Sequence, residues 1–361
     1  MSSYSNSECS TSSTATARDE LPTSLDKWRA LRGAPYVTVW DELRALLEQH
    51  GFRLWKIGIG RQLWEDGNDF PQCDNFLFLT PHKHENISLV RWKRFTTAMV
   101  GLRHAARMNG VRDVVLRVIT CSGEGHTHLR VLKRLSSPPD ILLSNNHILP
   151  ILYEIAFEDI VILAVPKLIF CVFDVVNPDR HNSVEDMLYM VLQIFEAAAY
   201  LHQNFIGHQD LFLSNFMVEW MPQSMIERTS TTRPRVYVID FETAVEFSED
   251  SLESERLCPT FPVPLDVYRR PVAPELQTMQ PYCPFRLDMW QLGADLHANL
   301  KVGADEIDQL WLELGAPIPQ DRPTADDALK VLDAYLRRTP SLELHRKIPI
   351  PSYYPDDWEY N

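Results

Sequence analysis

The chain has 361 residues, of which 45% are hydrophobic and 23% are charged, and this composition is typical of a globular protein with a sizeable core. Thirty-five basic against 49 acidic residues give a formal charge of -14, which disfavours binding to nucleic acid or to anionic lipid. Glycine accounts for 13 residues and proline for 25. Because average usage is about 7% glycine and about 5% proline, a collagen-like or glycine-rich repeat protein is excluded.

The cysteines and the apolar stretches bear on the compartment. Six cysteines are scattered without a Cys-x-x-Cys pair, which favours thiols in a reducing compartment over a disulfide framework or a zinc site. Residues 1–20 lack the apolar run of a secretory signal. Four charged residues interrupt the most apolar stretch, 149–173, so it does not resemble a membrane span. We expect a cytoplasmic or nuclear protein that is not secreted and has no membrane partner.

The first half of the chain predicts a β-rich region. Residues 1–25 are rich in serine and threonine without hydrophobic periodicity, which predicts a disordered tail. Apolar runs then predict five strands of a small antiparallel sheet, at 52–56, 75–79, 113–119, 148–155 and 160–165. An amphipathic helix is predicted at 88–107, with its arginines on a solvated face, and a second helix at 126–135.

The second half predicts a mainly helical region. Ser183 and Asp186 have the spacing of a capping box at the start of a helix that runs to Gln203. A hairpin is predicted next, from apolar runs at 216–220 and 235–240. Further helices are predicted at 287–299, 305–314 and 324–337. Four prolines after residue 339 predict an extended tail over 338–361. The fold class predicted from these elements is α+β.

Two polar loops carry the residues that predict chemistry. The string His208-Gln209-Asp210 is followed by Asn215 directly after the predicted helix, and Asp240-Phe241 ends an apolar strand. Phosphoryl transfer needs a carboxylate that orients or deprotonates the attacking hydroxyl, plus oxygen ligands for magnesium. Asp210 is the candidate base, and Asn215 and Asp240 are the candidate magnesium ligands. Each could also be an ordinary turn residue, but their occurrence as an ordered pair of motifs favours function.

These motifs resemble those of the protein kinase superfamily, and three later strings are similar in matching order. Ala273-Pro274-Glu275 resembles the end of a kinase activation segment. Asp288 resembles the aspartate that braces the catalytic loop, and Arg322 resembles the late arginine that pairs with the glutamate, here Glu275. His208 and Phe241 belong to the same motifs as structural residues. More narrowly, the strings IDFETA and WQLG resemble the expanded kinase-like proteins of mushroom-forming fungi.

The resemblance covers residues 36–337 and implies a bilobal protein-kinase-like fold. It implies a small β-rich lobe at 26–168, with an insertion around 81–109 that loops out, and a larger helical lobe at 169–337. It also implies Mg²⁺ and ATP as cofactors and an unidentified protein substrate or partner.

The same resemblance assigns the nucleotide site. Arg117 stands where kinases carry the lysine that contacts the α- and β-phosphates. Val165 takes the gatekeeper position, and the backbone from Pro166 to Leu168 would hydrogen-bond adenine. The string Gly58-Ile59-Gly60 is a weak candidate for the loop that covers the nucleotide, since its third glycine is missing.

Several positions depart from the family pattern. Arginine keeps the charge at position 117, but its planar fork is bulkier than an ammonium group. His128 takes the place of the lysine's glutamate partner, with Glu124 as an alternative. Phe212 replaces a lysine directed at the γ-phosphate, and Gln209 replaces the arginine that receives a phosphorylated loop. Glu242 stands where a glycine gives the following loop its freedom.

Three functions remain open on these residues. The first is an atypical kinase that transfers phosphate from Mg-ATP to a protein Ser/Thr hydroxyl. The second is a pseudokinase that serves as a binding or scaffold module, which the departures favour. The third is a small-molecule phosphotransferase of the aminoglycoside or choline kinase type, which shares the first two motifs. The Ala-Pro-Glu and Arg-Pro-Thr-Ala strings argue against the third.

Overall fold

The protein is a mixed α+β fold, as the composition of elements predicts. The computed structural model describes residues 18–57, 62–64, 94–96, 101–110, 112–168, 170–176, 182–219, 233–278 and 280–349. Most buried apolar side chains fall into two large clusters. One joins the N-terminal helices to a sheet, and the other fills the helical second half. Among the described residues, no helix has the length and apolar character needed to cross a membrane.

Three short helices precede the sheet and pack on it. They are α1 (Leu25–Ala30), α2 (Gly33–Glu42) and α3 (Arg44–Gln49). The rings of Trp28 and Trp40 meet edge to face with centroids 5.9 Å apart. Trp40 Nε1 donates to the Gly101 carbonyl at 3.0 Å, and Tyr36 donates its hydroxyl to the Arg103 carbonyl at 2.9 Å. These contacts fix the helices against the strand that begins at Arg103.

The predicted disordered tail ends earlier than residue 25. Residues 18–20 form a turn of 3₁₀-helix, and Leu21 and Leu25 are buried in the N-terminal core. Arg18 Nη2 donates to Asp159 Oδ2 at 2.9 Å. The serine-rich composition misled the prediction here, because two buried leucines and one ion pair are enough to order this short stretch. Residues 1–17 lie outside the described part of the chain.

A five-stranded antiparallel sheet organises the first half, in the order β1-β5-β6-β8-β7. The strands of the first half are β1 (Phe52–Leu54), β2 (Lys56–Ile57), β3 (Gln62–Trp64), β4 (Arg94–Thr96), β5 (Arg103–Met108), β6 (Arg112–Thr120), β7 (Tyr153–Phe157) and β8 (Ile160–Pro166). Strands β2, β3 and β4 form a separate small sheet. The predicted strands at 113–119 and 160–165 are therefore confirmed, and the predicted strand at 75–79 lies outside the described residues.

The predicted helix at 88–107 is wrong where the structure describes it. Residues 94–96 and 103–108 are strands, and β5 lies between β1 and β6 in the main sheet. The end of the expected insertion around 81–109 therefore does not loop out. The arginines were misleading, because Arg107 is buried and donates Nε to Asp113 Oδ1 at 2.9 Å. A buried ion pair in a strand gives the same sequence pattern as the polar face of a helix.

Burial of His104 on β5 predicts a pH-dependent stability. The imidazole stacks on Tyr36 with ring centroids 5.7 Å apart, and burial lowers its pKa to about 4. The unfolded chain therefore binds an extra proton below about pH 6.5. The free energy of unfolding, measured by urea denaturation, is expected to fall by about 2 kcal/mol from pH 7 to pH 5 through this residue. His104→Gln should remove that part of the fall. An equal fall in the free energy of unfolding for His104→Gln and the wild type would contradict this. His297→Gln, at an exposed histidine, is the control.

The remaining helices dominate the second half, except for the first of them, which lies between β6 and β7. In chain order they are α4 (His126–Leu135), α5 (Val172–Val175), α6 (Val184–Gln203), α7 (Pro284–Asn299), α8 (Asp305–Leu314), α9 (Ala325–Arg338) and α10 (Ser341–Leu344). The capping box predicted for α6 is confirmed, since Asp186 N donates to Ser183 Oγ at 3.1 Å and Ser183 N donates to Asp186 Oδ2 at 2.8 Å. The helix at 126–135 and the three later helices are confirmed within a few residues.

Short strands connect these helices and place the polar loops. They are β9 (Phe170–Cys171), β10 (Ile206–Gly207), β11 (Phe216–Glu219), β12 (Arg235–Val238) and β13 (Val245–Glu246). The predicted hairpin is confirmed, because β11 pairs antiparallel with β12. Strand β10 pairs with β13. One polar loop lies between β10 and β11, and the other lies between β12 and β13, so the pairing brings the two loops side by side.

The C-terminal segment is folded further than the prolines predict. Residues 341–344 form α10, and Leu344 and Ile348 are buried in the second core. Val184 N at the start of α6 donates to the Arg346 carbonyl at 2.9 Å. The extended tail predicted from residue 338 is therefore wrong up to residue 348, because its apolar side chains pack beside α6. Residues 350–361 lie outside the described part.

Candidate functional site

Asp288 on α7 fixes the first polar loop through its backbone. The carboxylate is buried, and its two oxygens accept from His208 N at 2.9 Å and from Gln209 N at 2.6 Å. Gln209 has a left-handed backbone, with φ of 65°. Two charge-assisted hydrogen bonds to adjacent amides stabilise such a turn. Asp288 therefore has the bracing contact that the sequence predicts for it.

His208 and Phe241 connect the first loop to the second. His208 Nε2 lies 3.0 Å from the Ile239 carbonyl, and the His208 and Phe241 rings meet edge to face at 4.9 Å. Thr243 Oγ1 donates to the His208 carbonyl at 2.9 Å, and Ile239 N donates to the Asn215 carbonyl at 2.9 Å. Four contacts thus hold the two loops in one arrangement.

Asp210 and Asn215 lie together, as the motif predicts. Asn215 Nδ2 donates to Asp210 Oδ2 at 2.7 Å. The other carboxylate oxygen, Oδ1, accepts from the Tyr268 hydroxyl at 2.8 Å and from Arg270 Nε at 3.0 Å. Both oxygens of Asp210 are therefore oriented by hydrogen-bond donors.

Asp240 lies on the second loop in a left-handed conformation, with φ of 72°. Its Oδ1 accepts from Arg117 Nη2 at 2.6 Å. Burial would raise the pKa of Asp240, but the charges of Arg117 and Arg103 hold that pKa below its usual range. The carboxylate is thus anionic across the physiological pH range. Its Oδ2 accepts no hydrogen bond from the residues that the structure describes.

Arg117 belongs to a partly buried cluster of opposite charges. On the sheet it lies directly opposite Arg103, and like charges at facing positions are destabilising. Burial would lower the pKa of Arg117, but its contacts with Asp240 and Glu242 raise it. Glu242 also accepts from Arg29 Nη2 on α1 at 3.0 Å. Two ion pairs, with Arg117 and with Arg29, therefore hold the Glu242 side chain in place.

His128 does not act as the carboxylate partner that a cation at position 117 would need. It is buried on α4, and burial together with the Arg117 charge lowers its pKa to about 3. The side chain is therefore neutral near pH 7. The alternative partner, Glu124, instead accepts a hydrogen bond from Leu25 N at 2.7 Å. Arg117 is neutralised by Asp240 and Glu242 in place of the expected glutamate.

The segment predicted to hold adenine follows β8. Val165 and Leu168 pack in one small apolar cluster that also includes Ile239, next to Asp240. Pro166 has no N–H, and Lys167 N donates to the Asp113 carbonyl at 3.2 Å. Neither Pro166 nor Lys167 therefore offers a free backbone N–H to a bound base. The glycine string at 58–60 lies outside the described residues.

The donor set at the two loops fits magnesium. Mg²⁺ binds oxygen and is usually held by one or two carboxylates plus phosphate oxygens and water. Asp240 Oδ2 and Asn215 Oδ1 are oxygens of that kind, and the nearest described donor to Asn215 Oδ1 is Arg270 Nη2 at 3.4 Å. Within the described ranges, no group of three His, Cys, Asp or Glu side chains could hold a metal ion by itself. These two oxygens are therefore the described ligands that magnesium could take together with phosphate oxygens and water.

Glu275 and Arg322 form the ion pair that the sequence predicts. Arg322 donates Nη1 to Glu275 Oε1 at 2.6 Å and Nη2 to Oε2 at 2.8 Å, and its side chain is fully buried. The guanidinium also donates to the Ala316 carbonyl at 2.7 Å. Arg322 contacts neither of the two polar loops among the described residues. The pair therefore anchors the segment that ends at Glu275.

Sequence reasoning missed residues that complete the site. Tyr268 and Arg270 contact Asp210, and Arg29 contacts Glu242. None belongs to a motif. Tyr268 and Arg270 come from one segment and Arg29 comes from α1, and only the fold brings these parts near the loops. The sole signal was the position of Tyr268 and Arg270 shortly before Ala273-Pro274-Glu275. Arg103 was missed because its segment was predicted to be a helix.

No family model and no curated protein matches the chain.

Proposed function

We propose that this chain is an atypical protein kinase with a bilobal protein-kinase-like fold, which transfers the γ-phosphoryl group of Mg-ATP to a protein Ser/Thr hydroxyl. The observation that carries the proposal is the set of contacts that joins the loop of Asp210 and Asn215 to the loop of Asp240. Positioning and electrostatic stabilisation supply most of the catalysis in phosphoryl transfer. A rigid pair of loops is suited to both.

Each residue has a defined task in this proposal. Asp210 accepts the proton of the attacking hydroxyl, and its orientation by Asn215 and Tyr268 keeps one carboxylate lone pair directed at the acceptor. Asn215 and Asp240 hold Mg²⁺. When bound, Mg²⁺ neutralises the charge that develops on the phosphate oxygens. Arg117 supplies positive charge beside Asp240, where the nucleotide phosphates would lie.

The two clusters of buried side chains agree with a two-lobe arrangement. The sheet with α1 to α3 has one core, and the helical half has another. Segment 166–168 joins the two parts, and its apolar neighbours include Ile239. A nucleotide base bound along this segment would place its phosphates toward Asp240. The Glu275–Arg322 pair favours a protein kinase over a small-molecule phosphotransferase, because that branch is not expected to carry these motifs.

A pseudokinase is the second candidate, and one contact favours it. Arg117 occupies Oδ1 of Asp240, so a proposed magnesium ligand is partly engaged by a guanidinium. A scaffold protein would tolerate this, because it needs a fixed loop and no metal.

Binding of Mg-ATP tests the proposed function. Isothermal titration of the full chain with Mg-ATP is expected to show one site, and the affinity should fall at least tenfold in Asp240→Asn, because a ligand of the metal loses its charge. Exposed Asp250→Asn is the matched control and should bind as the wild type does. The absence of any heat or thermal shift with Mg-ATP in the wild type would contradict an enzyme.

Restoring the lysine and glutamate of the kinase pattern at positions 117 and 128 is expected to strengthen nucleotide binding. In Arg117→Lys/His128→Glu, a carboxylate on α4 can hold the ammonium group and release Asp240 for magnesium. The dissociation constant for Mg-ATP should fall about tenfold, as measured by titration calorimetry. Arg117→Lys/His126→Glu is the control, since exposed His126 lies on the same helix. An unchanged dissociation constant would show that the strand or the helix has been assigned wrongly.

A further inference from the structure

Arg270 is fixed at the candidate base by four contacts. Its Nε lies 3.0 Å from Asp210 Oδ1, its Nη1 donates to Ser214 Oγ at 2.7 Å, and its Nη2 approaches Asn215 Oδ1 at 3.4 Å. The guanidinium carbon lies over the Phe212 ring, 4.8 Å from the centroid. All four partners belong to the first polar loop, and one of them is the base itself. The side chain is about 30% exposed, so it faces an open side of the site.

The segment that carries Arg270 is anchored on both sides. Tyr268 donates to Asp210 and receives a hydrogen bond from Gln291 Nε2 of α7 at 3.3 Å. Five residues after Arg270, Glu275 is held by buried Arg322. An arginine in such a segment pays little entropy to stay in place, because its neighbours are already fixed.

The charges around the two loops are divided unequally. On the Asp240 side, Arg117 pairs with Asp240 and Glu242, Arg29 pairs with Glu242, and Arg103 lies opposite Arg117. On the Asp210 side, Arg270 is the basic side chain that contacts the carboxylate among the residues that the structure describes. The loop itself offers an apolar ring at Phe212. A transferred phosphoryl group must pass close to the base, since the hydroxyl that the base holds attacks its phosphorus.

We propose that Arg270 is a catalytic residue that binds the γ-phosphoryl group of the nucleotide during transfer. The inference rests on the proposed function and adds a second cation to it. The phosphorus forms a bond to the acceptor oxygen and loses its bond to the β-phosphate oxygen, which leaves on ADP with the electron pair. Asp210 takes the hydroxyl proton. Arg270 neither forms nor breaks a covalent bond, and its planar fork stabilises the phosphoryl oxygens by paired hydrogen bonds.

The stacking on Phe212 gives this arginine its position. A guanidinium over an aromatic face is attracted to it. Three of the five N–H groups of Arg270 contact described residues of the first polar loop, which leaves two for phosphoryl oxygens. Phe212 thus has a function that its apolar character does not predict. Phe212 has no charge of its own, but its ring holds the charged group of Arg270 at the loop.

A comparison of ATP with ADP tests the inference without requiring turnover. With Mg²⁺ present, the wild type is expected to bind ATP about tenfold more tightly than ADP in titration calorimetry. Arg270→Gln should reduce this ratio to near one and leave ADP binding unchanged, and Arg270→Lys should retain part of it. Arg269→Gln is the matched control, since it removes the same charge from an exposed neighbour.

The rate of phosphoryl transfer shows whether Arg270 binds the phosphoryl group or blocks Asp210. Arg270→Gln is expected to lower kcat by about 10²-fold, and adding Phe212→Lys should restore part of the loss by bringing a cation back to the loop. A rate that rises in Arg270→Gln would overturn the inference, because Arg270 would then block the base. An ATP to ADP ratio that is the same in the wild type and Arg270→Gln would overturn it too, while the proposed function would stand. Failure of the wild type to bind either nucleotide would defeat both.

Discussion

Asparagine in place of Asp210 is expected to lower the rate of phosphoryl transfer by about 10³-fold. The substitution keeps the size of the side chain but replaces one accepting oxygen by an NH2 donor, and it removes the group that accepts the hydroxyl proton. The affinity for Mg-ATP should change little, because Asp210 does not hold the metal in the proposed arrangement. Initial rates with radiolabelled ATP at saturating nucleotide measure the first effect, and calorimetry measures the second.

Asp266→Asn is the matched control for this variant. Asp266 is exposed, two residues before Tyr268, and its replacement removes the same charge without touching the loops. Its rate is expected to equal that of the wild type. Equal rates in Asp210→Asn and the wild type would remove Asp210 from the reaction, whereas equal losses in both variants would point to net charge as the cause.

The second large effect concerns stability. Arg322→Met is expected to lower the free energy of unfolding by about 3–5 kcal/mol, because Glu275 is left without its partner in a site that is nearly closed to water. The Ala316 carbonyl also loses its donor. Urea denaturation followed by circular dichroism measures the change in free energy.

A double variant separates the destabilisation caused by an unpaired Glu275 from the stabilisation that the Glu275–Arg322 pair provides. Glu275→Leu/Arg322→Met should be more stable than Arg322→Met alone, since no unpaired charge stays buried. Arg338→Met, which breaks an exposed pair with Glu306, should leave the denaturation midpoint almost unchanged. A small loss in Arg322→Met, equal to that of Arg338→Met, would mean that the buried pair does not anchor the segment.

Local chemistry made the helical half predictable. The start of α6 at Val184 follows from Ser183 and Asp186, whose reciprocal hydrogen bonds act within three residues. Likewise, the two polar loops could be recognised from residues that lie close together in the chain. Features of this kind need no knowledge of distant contacts.

Long-range contacts explain what the sequence did not reveal. Strand β5 was predicted as a helix because Arg103 and Arg107 looked exposed, whereas Arg107 is paired with Asp113 on the next strand. Residues 18–25 looked disordered because the partner of Arg18, Asp159, is far away in sequence. The partners of Arg117 at Asp240 and Glu242 are equally distant. Charge pairs between remote residues leave no periodic pattern, so only the fold shows them.

The central claim, that the two joined loops carry out magnesium-dependent phosphoryl transfer, is tested most directly with radiolabelled ATP. Purified wild type and Asp240→Asn are incubated with γ-labelled ATP and generic acceptor proteins, with and without magnesium. The account predicts label in protein hydroxyls that depends on magnesium and disappears in Asp240→Asn. A wild type that binds Mg-ATP yet transfers no label, or label that persists in Asp240→Asn, would contradict it.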